Sequence, residues 1–558
     1  MRLSKIPHPH RPHLPHHGKA IAIFVATLCL SISAAFAQPA KRALQHSDFD
    51  AWRSIATPIL SRDGKWLAYS VQPQDGDGEL VIRELASGKE RRETVGALPP
   101  PPIAPEEENP DAPPVPRAIR VTFTSDSRFL VATTFASKAD TDAARKGRKK
   151  PDDMPKGGLM LFNLVTNDVQ RVANVKSVQV PTKGGAWLAY LKEEIKTTPP
   201  TANASAPKPG DDADDDQAAA RRAAAPPAAT TTNDDPAAPK FGTDLVLRDL
   251  MQNTERTFAN VLESSFARDG KTLLFAVAAK AETDNGIYAI TPQSDAAPVP
   301  LLVGKGKYLK TTWDREQTQA AFVSDRDDAA AKAPSFKLYH WPRGTPTAKE
   351  VVSAATLNFP AAMTISDKGN LAFSRDGKKL YLPVAPPAKP PRAANSGPTE
   401  EQKVVADLWR WNDDTVQPMQ RIRAVQEKNR SYRGVLDLAT MHYRQLADMG
   451  MRNVSMSDDG TRAVGSDDSA YRRLMDYDAA YADLYVVNTS SGEKKLALKK
   501  LQSNGNINQN QWSPDGNGLL YYQNKHWHVL NTTDGSTRNL SARFKVALHN
   551  EEIGRAHV

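Results

Sequence analysis

A nine-residue pattern recurs along this chain of 558 residues and constrains its fold more than any other feature. The pattern reads Ser-x-Asp-Gly-Lys followed by alternating apolar residues, as in Ser61–Tyr69. An Asp-Gly step places glycine where φ is positive, which is typical of a short hairpin turn, and the alternation is typical of a half-buried strand. We therefore predict a repeated strand-turn-strand unit. Eight copies are recognisable, and they begin at Ser61, Thr124, Thr182, Ala267, Trp313, Ser374, Ser457 and Ser513.

A second signal follows most of these turns and predicts a third strand. It consists of a short apolar run closed by polar turn residues, and it occurs at 79–88, 158–164, 244–250, 286–290, 407–411 and 483–488. Four antiparallel strands per copy, repeated along a chain, are typical of the blades of a β-propeller. We predict an all-β protein, a β-propeller of seven or eight four-stranded blades with eight slightly favoured. A β-sandwich or several small β domains are the alternatives.

Proline-rich segments separate some of the copies. The chain contains 42 prolines, which cluster with alanine and acidic residues near 99–117, 198–240 and 386–403. Such segments bury too little apolar surface to offset the chain entropy that folding removes. We predict that they are disordered inserts that leave the propeller from its loops.

The amino terminus resembles an export signal. A basic stretch precedes the apolar run Ala20–Ile32, and Ala35–Ala37 then forms an Ala-x-Ala cleavage site. A membrane-spanning helix needs roughly 20 apolar residues, so a retained anchor is the less favoured alternative. We predict a signal peptide at 1–37, a lead-in segment at 38–57 and a periplasmic or secreted protein without a stable membrane anchor. Cleavage removes Cys29, the single cysteine, and with it any disulfide or cysteine nucleophile.

The charge of the chain argues against nucleic acid as a partner. The formal net charge is +9, and removal of the signal peptide takes away four basic residues, which leaves +5. A charge this dilute over so long a chain does not indicate binding to nucleic acid, and we predict none as a partner.

The repeat, followed by a Leu-Tyr-Val-x-Asp-Leu-like strand, resembles the TolB-like propeller repeat. In addition, Asp48–Ile55, Gln74–Leu80 and Asp407–Gln420 are similar to the amino-terminal part of exported bacterial serine peptidases of the prolyl oligopeptidase family. The resemblance implies a propeller that controls which peptides reach a following α/β-hydrolase domain. That domain carries a Gly-x-Ser-x-Gly elbow and then Asp and His.

The chain contains no such elbow, so we expect the catalytic domain to be missing here and this chain to be inactive by itself. We interpret Ile553–Val558 as read-through of a sequencing adapter and place the propeller at 58–552. The non-enzymatic alternative is a periplasmic TolB-like propeller that acts as a scaffold for protein interactions. We predict peptide substrates as partners only through the missing domain, and no cofactor.

No residue is assigned here to catalysis or to metal binding, and substrate-binding residues stay unidentified. The acidic run Asp211–Asp216 lacks the central glycine and distal glutamate of a calcium loop, so we interpret it as solvated. Some aminopeptidases of the resembled family hold a substrate's amino terminus with a propeller glutamate pair, but we expect Glu193 and Glu194 to face solvent. A second set falls in or near segments that could line a propeller tunnel, and nothing in its spacing demands paired-carboxylate chemistry: Asp407, Asp413, Asp414, His442, Asp467 and Asp468. We expect the recurring tryptophans to fill the core between blades: Trp66, Trp187, Trp313, Trp409, Trp411, Trp512 and Trp527.

Overall fold

The computed structural model describes residue 45 and residues 52–99, 118–150, 153–194, 240–388, 408–503 and 512–545. The predicted signal peptide, Asp407, the acidic run, Ile553–Val558 and most of the three proline-rich inserts lie outside these residues. Except for Arg53, every strand and helix belongs to one compact unit, Ser54–Val558.

The strands pair with their neighbours in chain order, which gives the meander expected of propeller blades. The first sheet contains β1 (Arg53–Leu60), β2 (Trp66–Pro73), β3 (Asp77–Glu84) and β4 (Glu90–Ala97). The second contains β5 (Val121–Phe123), β6 (Phe129–Thr134), β7 (Gly158–Asn163) and β8 (Val169–Ala173). The fourth contains β16 (Tyr308–Trp313), β17 (Gln319–Ser324), β18 (Lys337–Pro342) and β19 (Lys349–Val352).

The fifth, sixth and seventh sheets follow the same order. The fifth contains β20 (Thr364–Ile365), β21 (Ala372–Phe373), β22 (Lys379–Ala385), β23 (Tyr432–Asp437) and β24 (Tyr443–Gln445). The short β20 and β21 both pair with β22, so together they act as one interrupted first strand. The sixth contains β25 (Asn453–Met456), β26 (Arg462–Asp467), β27 (Ala480–Asn488) and β28 (Lys494–Ser503). The seventh contains β29 (Gly518–Gln523), β30 (His526–Asn531) and β31 (Thr537–Asn539), with Trp512 bridged to Leu519 where a first strand would lie.

The third sheet has seven strands and fuses two repeat units. It contains β9 (Val175–Gln179), β10 (Trp187–Lys192), β11 (Thr243–Asp249), β12 (Thr254–Phe266), β13 (Leu273–Val277), β14 (Gly286–Ile290) and β15 (Val299–Val303). The long β12 pairs with β11 through its first part and with β13 from Val261 onward. It therefore ends one four-stranded unit and begins the next. Because of this fusion, the number of blades stays a prediction.

The predicted repeat is confirmed, since seven copies form a turn between two successive strands and the copy at Ser513 forms a turn between the bridge residue Trp512 and β29. In the first copy the Ser61 hydroxyl donates to Asp63 over 2.6 Å, and Asp63 accepts from the Lys65 N–H over 3.1 Å. The same hydroxyl-to-carboxylate bond recurs in the copies at Thr124, Ser374, Ser457 and Ser513. The Asp-Gly glycines have φ between 67° and 71°, as the motif predicts: Gly64, Gly270, Gly377, Gly460 and Gly516.

Seven clusters of buried apolar side chains join the repeat units in series. Each cluster draws on two successive units, so the units pack face to face along the chain. Between the first two sheets, for example, Leu80 and Ile82 pack with Leu130, Met160 and Phe162. The first strands of some neighbouring units also contact one another, since β12 contacts β16 and β16 contacts β21. In these units the first strand therefore lies at the edge of the sheet where neighbouring sheets converge. The strand pairing and the packing of successive units confirm the prediction of an all-β propeller.

Antiparallel strands alternate in direction, so each sheet has two ends with different connections. The eight predicted turns and the turns between third and fourth strands share one end, which we call the turn face. Connections between second and third strands leave from the opposite end, which we call the insertion face. The long connections, between β6 and β7, β10 and β11, β22 and β23, and β26 and β27, all emerge on the insertion face.

Two helices lie in these long connections. Helix α1 (Lys138–Lys146) begins after Ser137, whose hydroxyl accepts from the Asp140 N–H, and it ends with basic residues. Helix α2 (Gln417–Lys428) has Pro418 in its first turn, where the missing N–H leaves no helical bond unmade.

Candidate functional site on the insertion face

The turn face is occupied by contacts between neighbouring turns. Backbone and side-chain hydrogen bonds link each turn to the next, with donor-acceptor distances between 2.5 and 3.3 Å: Asp63 to Ser127, Gly185 to Ser125, Lys183 to Arg268, Arg268 to Gln317, Gln319 to Gly377, Lys379 to Gly460 and Arg462 to Gly516. Because these groups hold the units together, we expect a binding site on the insertion face instead.

On the insertion face, the long connections of the fifth and sixth sheets meet and are joined by ion pairs. Arg472, between β26 and β27, contacts Asp414 at 3.4 Å and Asp468 at 2.9 Å. Glu427 on α2 is shared by two guanidinium groups, those of Arg430 and Arg452. We call this region the fifth–sixth junction.

Large apolar side chains are exposed at the fifth–sixth junction. Trp411 is 94% exposed, and Leu408 and Trp409 beside it are exposed as well. The prediction of a third strand at 407–411 is therefore wrong for the described residues 408–411, because the third strand of this sheet is β23. Most of β23 is buried, whereas Trp409 and Trp411 lie in an insert that no neighbouring strand covers, so the prediction that these two tryptophans fill the core is wrong.

The core interpretation of the other tryptophans is confirmed for those that pack against a cluster of buried side chains. Four do so: Trp66, Trp187, Trp313 and Trp512. Trp527 instead forms an edge-to-face pair with Tyr522, with ring centroids 5.2 Å apart.

An apolar cavity opens at the junction. Its volume is about 370 Å³, and Pro360, Met363, Tyr432 and Met449 contribute to its wall. Asp448 at its edge accepts from the N–H groups of Gly450 and Met451 and from the ammonium of Lys494. Burial would raise the pKa of this carboxyl, but these donors outweigh burial and hold the pKa below its ordinary value. Asp448 is therefore ionised and committed to partners within the chain.

A second, polar cavity of about 310 Å³ lies between the fifth and sixth sheets. Its wall includes the side chains of Arg433 and Arg452 together with asparagines and serines, which are Asn370, Ser431, Asn453 and Ser455. Burial lowers the pKa of the Arg433 guanidinium. No local sequence pattern predicts this cavity, because its wall comes from strands and connections distant along the chain.

The residues that the sequence placed near a tunnel lie at both ends of the sheets. Asp413, Asp414, Asp467 and Asp468 lie at the fifth–sixth junction. Asp413 accepts from the Arg410 N–H and from Gln420, and these donors lower its pKa. Asp467 accepts from the Ser469 N–H over 2.9 Å. His442 lies instead in the exposed turn before β24, on the turn face.

Glu193 and Glu194 follow β10 in the third sheet, so they do not belong to the fifth–sixth junction. Glu193 is half-buried and Glu194 is exposed. Within the described residues, no group of three or more His, Cys, Asp and Glu side chains is placed to hold a metal ion. None of the described helices is both long and apolar enough to cross a bilayer.

Comparison with models of protein families gave no match. Comparison with curated proteins gave no match either. Solved structures are similar over most of the chain. A prolyl endopeptidase is 13% identical with a TM-score of 0.32, and the alignment covers 93% of this chain and 60% of that one. The β-propeller domain of the trilobed protease from Pyrococcus furiosus is 8% identical with a TM-score of 0.28, covering 81% of this chain and 100% of that one.

A eukaryotic initiation factor is also similar, 10% identical with a TM-score of 0.37, covering 91% of this chain and 92% of that one. At these identities and scores the similarities assign no activity, and the fold rests on the strand pairing itself. This chain spans about 60% of the length of the prolyl endopeptidase that it matches. The solved structures similar to this chain thus include peptidases of the kind that its sequence resembles.

Proposed function

We propose that this chain is the propeller portion of an exported serine peptidase of the prolyl oligopeptidase family, and that it controls which peptides reach the hydrolase domain. The observation that carries the proposal is the gathering of long connections, exposed tryptophans and both cavities at one end of the sheets. A surface that selects peptides needs concave walls and adaptable loops, and loops on a rigid scaffold commonly carry binding residues.

The first test is to read the gene beyond the codon for Glu552. A Gly-x-Ser-x-Gly motif within the next few hundred codons supports the peptidase, whereas a stop codon soon after the last sheet contradicts it. The second test assays the longer protein and this chain on peptidyl chromogenic substrates. We expect hydrolysis by the longer protein, abolished by a fluorophosphonate, and none by residues 38–552. Fluorophosphonate-sensitive hydrolysis by the shorter chain would show the proposal to be wrong.

Control of access has its own test in the longer protein. Replacing Trp409 and Trp411 together by serine should change the ratio of cleavage rates for long and short peptides, because these exposed rings stand at the fifth–sixth junction. Trp527→Ser in the seventh sheet is the matched control and should leave that ratio unchanged. Equal ratios in all three proteins would contradict a role in peptide selection.

Export is tested separately by fractionating cells that express the protein. We expect the periplasmic or secreted form to begin at Gln38, as amino-terminal sequencing would show.

A second candidate function is a scaffold for protein interactions, which the exposed Leu408, Trp409 and Trp411 favour. Large apolar side chains grouped on a surface are typical of protein interaction sites. This candidate predicts an intact gene that ends soon after the last sheet, so the same reading of the gene separates the two functions.

A further inference from the structure

Arg433 on β23 projects between the fifth and sixth sheets. It pairs in register with Pro383 on β22, and the next pair on the same side of the sheet is Val435 with Tyr381. Val435 and Tyr381 pack against Met451, Ala463 and Val487 in the cluster that joins the two sheets. Side chains two residues apart on a strand share a side, so the Arg433 side chain enters the same interface.

The Arg433 guanidinium has no hydrogen-bond or ion-pair partner among the described residues. Burial lowers its pKa, and the only opposing electrostatic influence comes from the Tyr381 hydroxyl, with no carboxylate contributing. The neighbouring arginines differ, because Arg430 and Arg452 contact Glu427 and Arg472 contacts Asp468. Arg433 is partly buried, and a partly desolvated guanidinium without a counter-ion favours the binding of an anion.

The polar cavity beside Arg433 can accommodate a small anionic group. Its volume of about 310 Å³ is at the lower end of the roughly 300–1,000 Å³ range of ligand pockets. Asn370, Ser431, Asn453 and Ser455 line the cavity together with Arg433, and no acidic residue is among its described lining residues.

Close packing around Gly369 shapes one wall of this cavity. The first strand of the fifth sheet is interrupted between β20 and β21, and Gly369 lies in the interruption. A Cβ on Gly369 would lie 2.3 Å from the Ser431 hydroxyl oxygen and 2.4 Å from Cβ of Pro383. The absence of a side chain therefore allows the segment that carries Asn370 to approach Pro383 on β22 and Ser431, which precedes β23.

The charge balance around the cavity favours a singly charged ligand. Glu427 is one carboxylate shared by Arg430 and Arg452, so Arg452 is already partly neutralised. Only Arg433 offers a whole unpaired guanidinium. A carboxylate matches this group in charge and in its planar, bidentate geometry, whereas a phosphate dianion would need a second free cation.

We propose that the cavity between the fifth and sixth sheets is a carboxylate-binding site in which Arg433 is the principal ligand and Arg452, Asn370 and Asn453 are supporting donors. The choice of a peptide as the carrier of the carboxylate rests on the proposed function. The carboxylate is then either a peptide's carboxyl terminus or an acidic side chain, and the experiment separates these two sources.

The test measures binding to the full chain by isothermal titration calorimetry with three probes: N-acetyl-Ala-Ala with a free carboxyl terminus, the same peptide amidated, and amidated N-acetyl-Ala-Glu. We expect at least one carboxylate-bearing probe to bind and the neutral amide to bind at least tenfold more weakly. Binding of the first probe alone assigns a carboxyl-terminal site, and binding of the third assigns an acidic side chain. Equal binding of all three, or of none, would overturn the proposal.

Variants then assign the effect to Arg433. Arg433→Gln should weaken the carboxylate-bearing probe by about tenfold to a hundredfold, since charge-assisted hydrogen bonds of this kind are lost. Arg433→Lys should lose less, because it keeps the charge without the bidentate geometry. Arg538→Gln, at an exposed arginine of the last sheet, is the matched control and should bind as the wild type does. Unchanged affinity in Arg433→Gln would refute the assignment.

Two further measurements keep the test decisive. Circular dichroism melts establish that each variant is folded, and if Arg433→Gln does not fold, Arg433→Lys and the wild-type probe comparison decide. Inorganic phosphate should displace the peptide less effectively than acetate at the same concentration, and the reverse order would refute carboxylate preference. Because none of these measurements needs hydrolysis, they can succeed even if the gene shows no hydrolase domain.

Discussion

The turn glycines offer a matched pair that tests whether neighbouring turns pack against each other. Gly64 and Gly270 occupy the same position of the repeat, with φ of 70° and 68°. A Cβ on Gly64 would meet nothing within 4 Å, whereas one on Gly270 would lie 2.8 Å from the Gly184 carbonyl oxygen. Alanine at Gly64 therefore introduces only the strain of a left-handed backbone, about 1–2 kcal/mol.

Alanine at Gly270 adds a clash with the main chain of the preceding turn. Overpacking of this kind costs about 1–3 kcal/mol, so we expect Gly270→Ala to destabilise the protein by roughly 2–5 kcal/mol in total. Urea unfolding followed by tryptophan fluorescence measures the free energy of unfolding for the wild type and both variants. If both alanine variants lose the same free energy, the turns are not in contact as described and the reasoning is refuted.

Three further predictions concern single side chains. The Ser513 hydroxyl, with the backbone and side chain of Asn517, lowers the pKa of Asp515 from 3.8 to about 2. This contribution to stability is present above about pH 4 and is lost as the pH falls towards 2, so Asp515→Asn should show a smaller drop in urea midpoint between pH 5 and pH 2.5 than the wild type. Tyr381→Phe should not lower the melting temperature, because its buried hydroxyl has no partner among the described residues, whereas Tyr339→Phe should lower it by removing a 2.8 Å hydrogen bond to an aspartate. A melting temperature that falls equally in both would contradict this. Trp411→Ser should leave the urea midpoint unchanged while Trp313→Ser lowers it, and the opposite order would contradict the exposure of Trp411 and the packing of Trp313 against the core.

The repeat was predictable because its information is local. In the copy at Ser61, the hydroxyl, the carboxylate and the glycine that form the turn lie within four residues, so the sequence shows them together. The strands that follow alternate in burial over a short span, as β2 does. The physical rules for turns and half-buried strands need no knowledge of distant residues.

The fifth sheet shows where this reasoning fails. Leu408–Trp411 has the composition of a buried strand, yet composition does not reveal which segment finds a partner. Tyr432–Asp437 pairs with β22 instead, and this leaves Trp411 exposed in the insert. The sequence also does not reveal that β12 joins two units into one sheet. Whether one strand can pair with both neighbouring units depends on the angle between those units, which is a property of the packed structure.

The cavity around Arg433 was beyond sequence analysis for a related reason. Asn370, Arg433 and Asn453 are separated by many residues and come from two sheets. Nothing near Arg433 in the sequence distinguishes it from an ordinary surface arginine. Its lack of a partner is visible only once the two sheets are packed together.

The continuous ladder of the third sheet has a consequence for how the units can separate. The two units that share β12 are joined by main-chain hydrogen bonds, because β12 pairs with β11 on one side and with β13 on the other. Among the described residues, the other neighbouring units belong to separate sheets, and buried side chains and turn-to-turn hydrogen bonds join them instead. Pulling apart the two units of the third sheet would therefore break main-chain pairing that the other boundaries do not have.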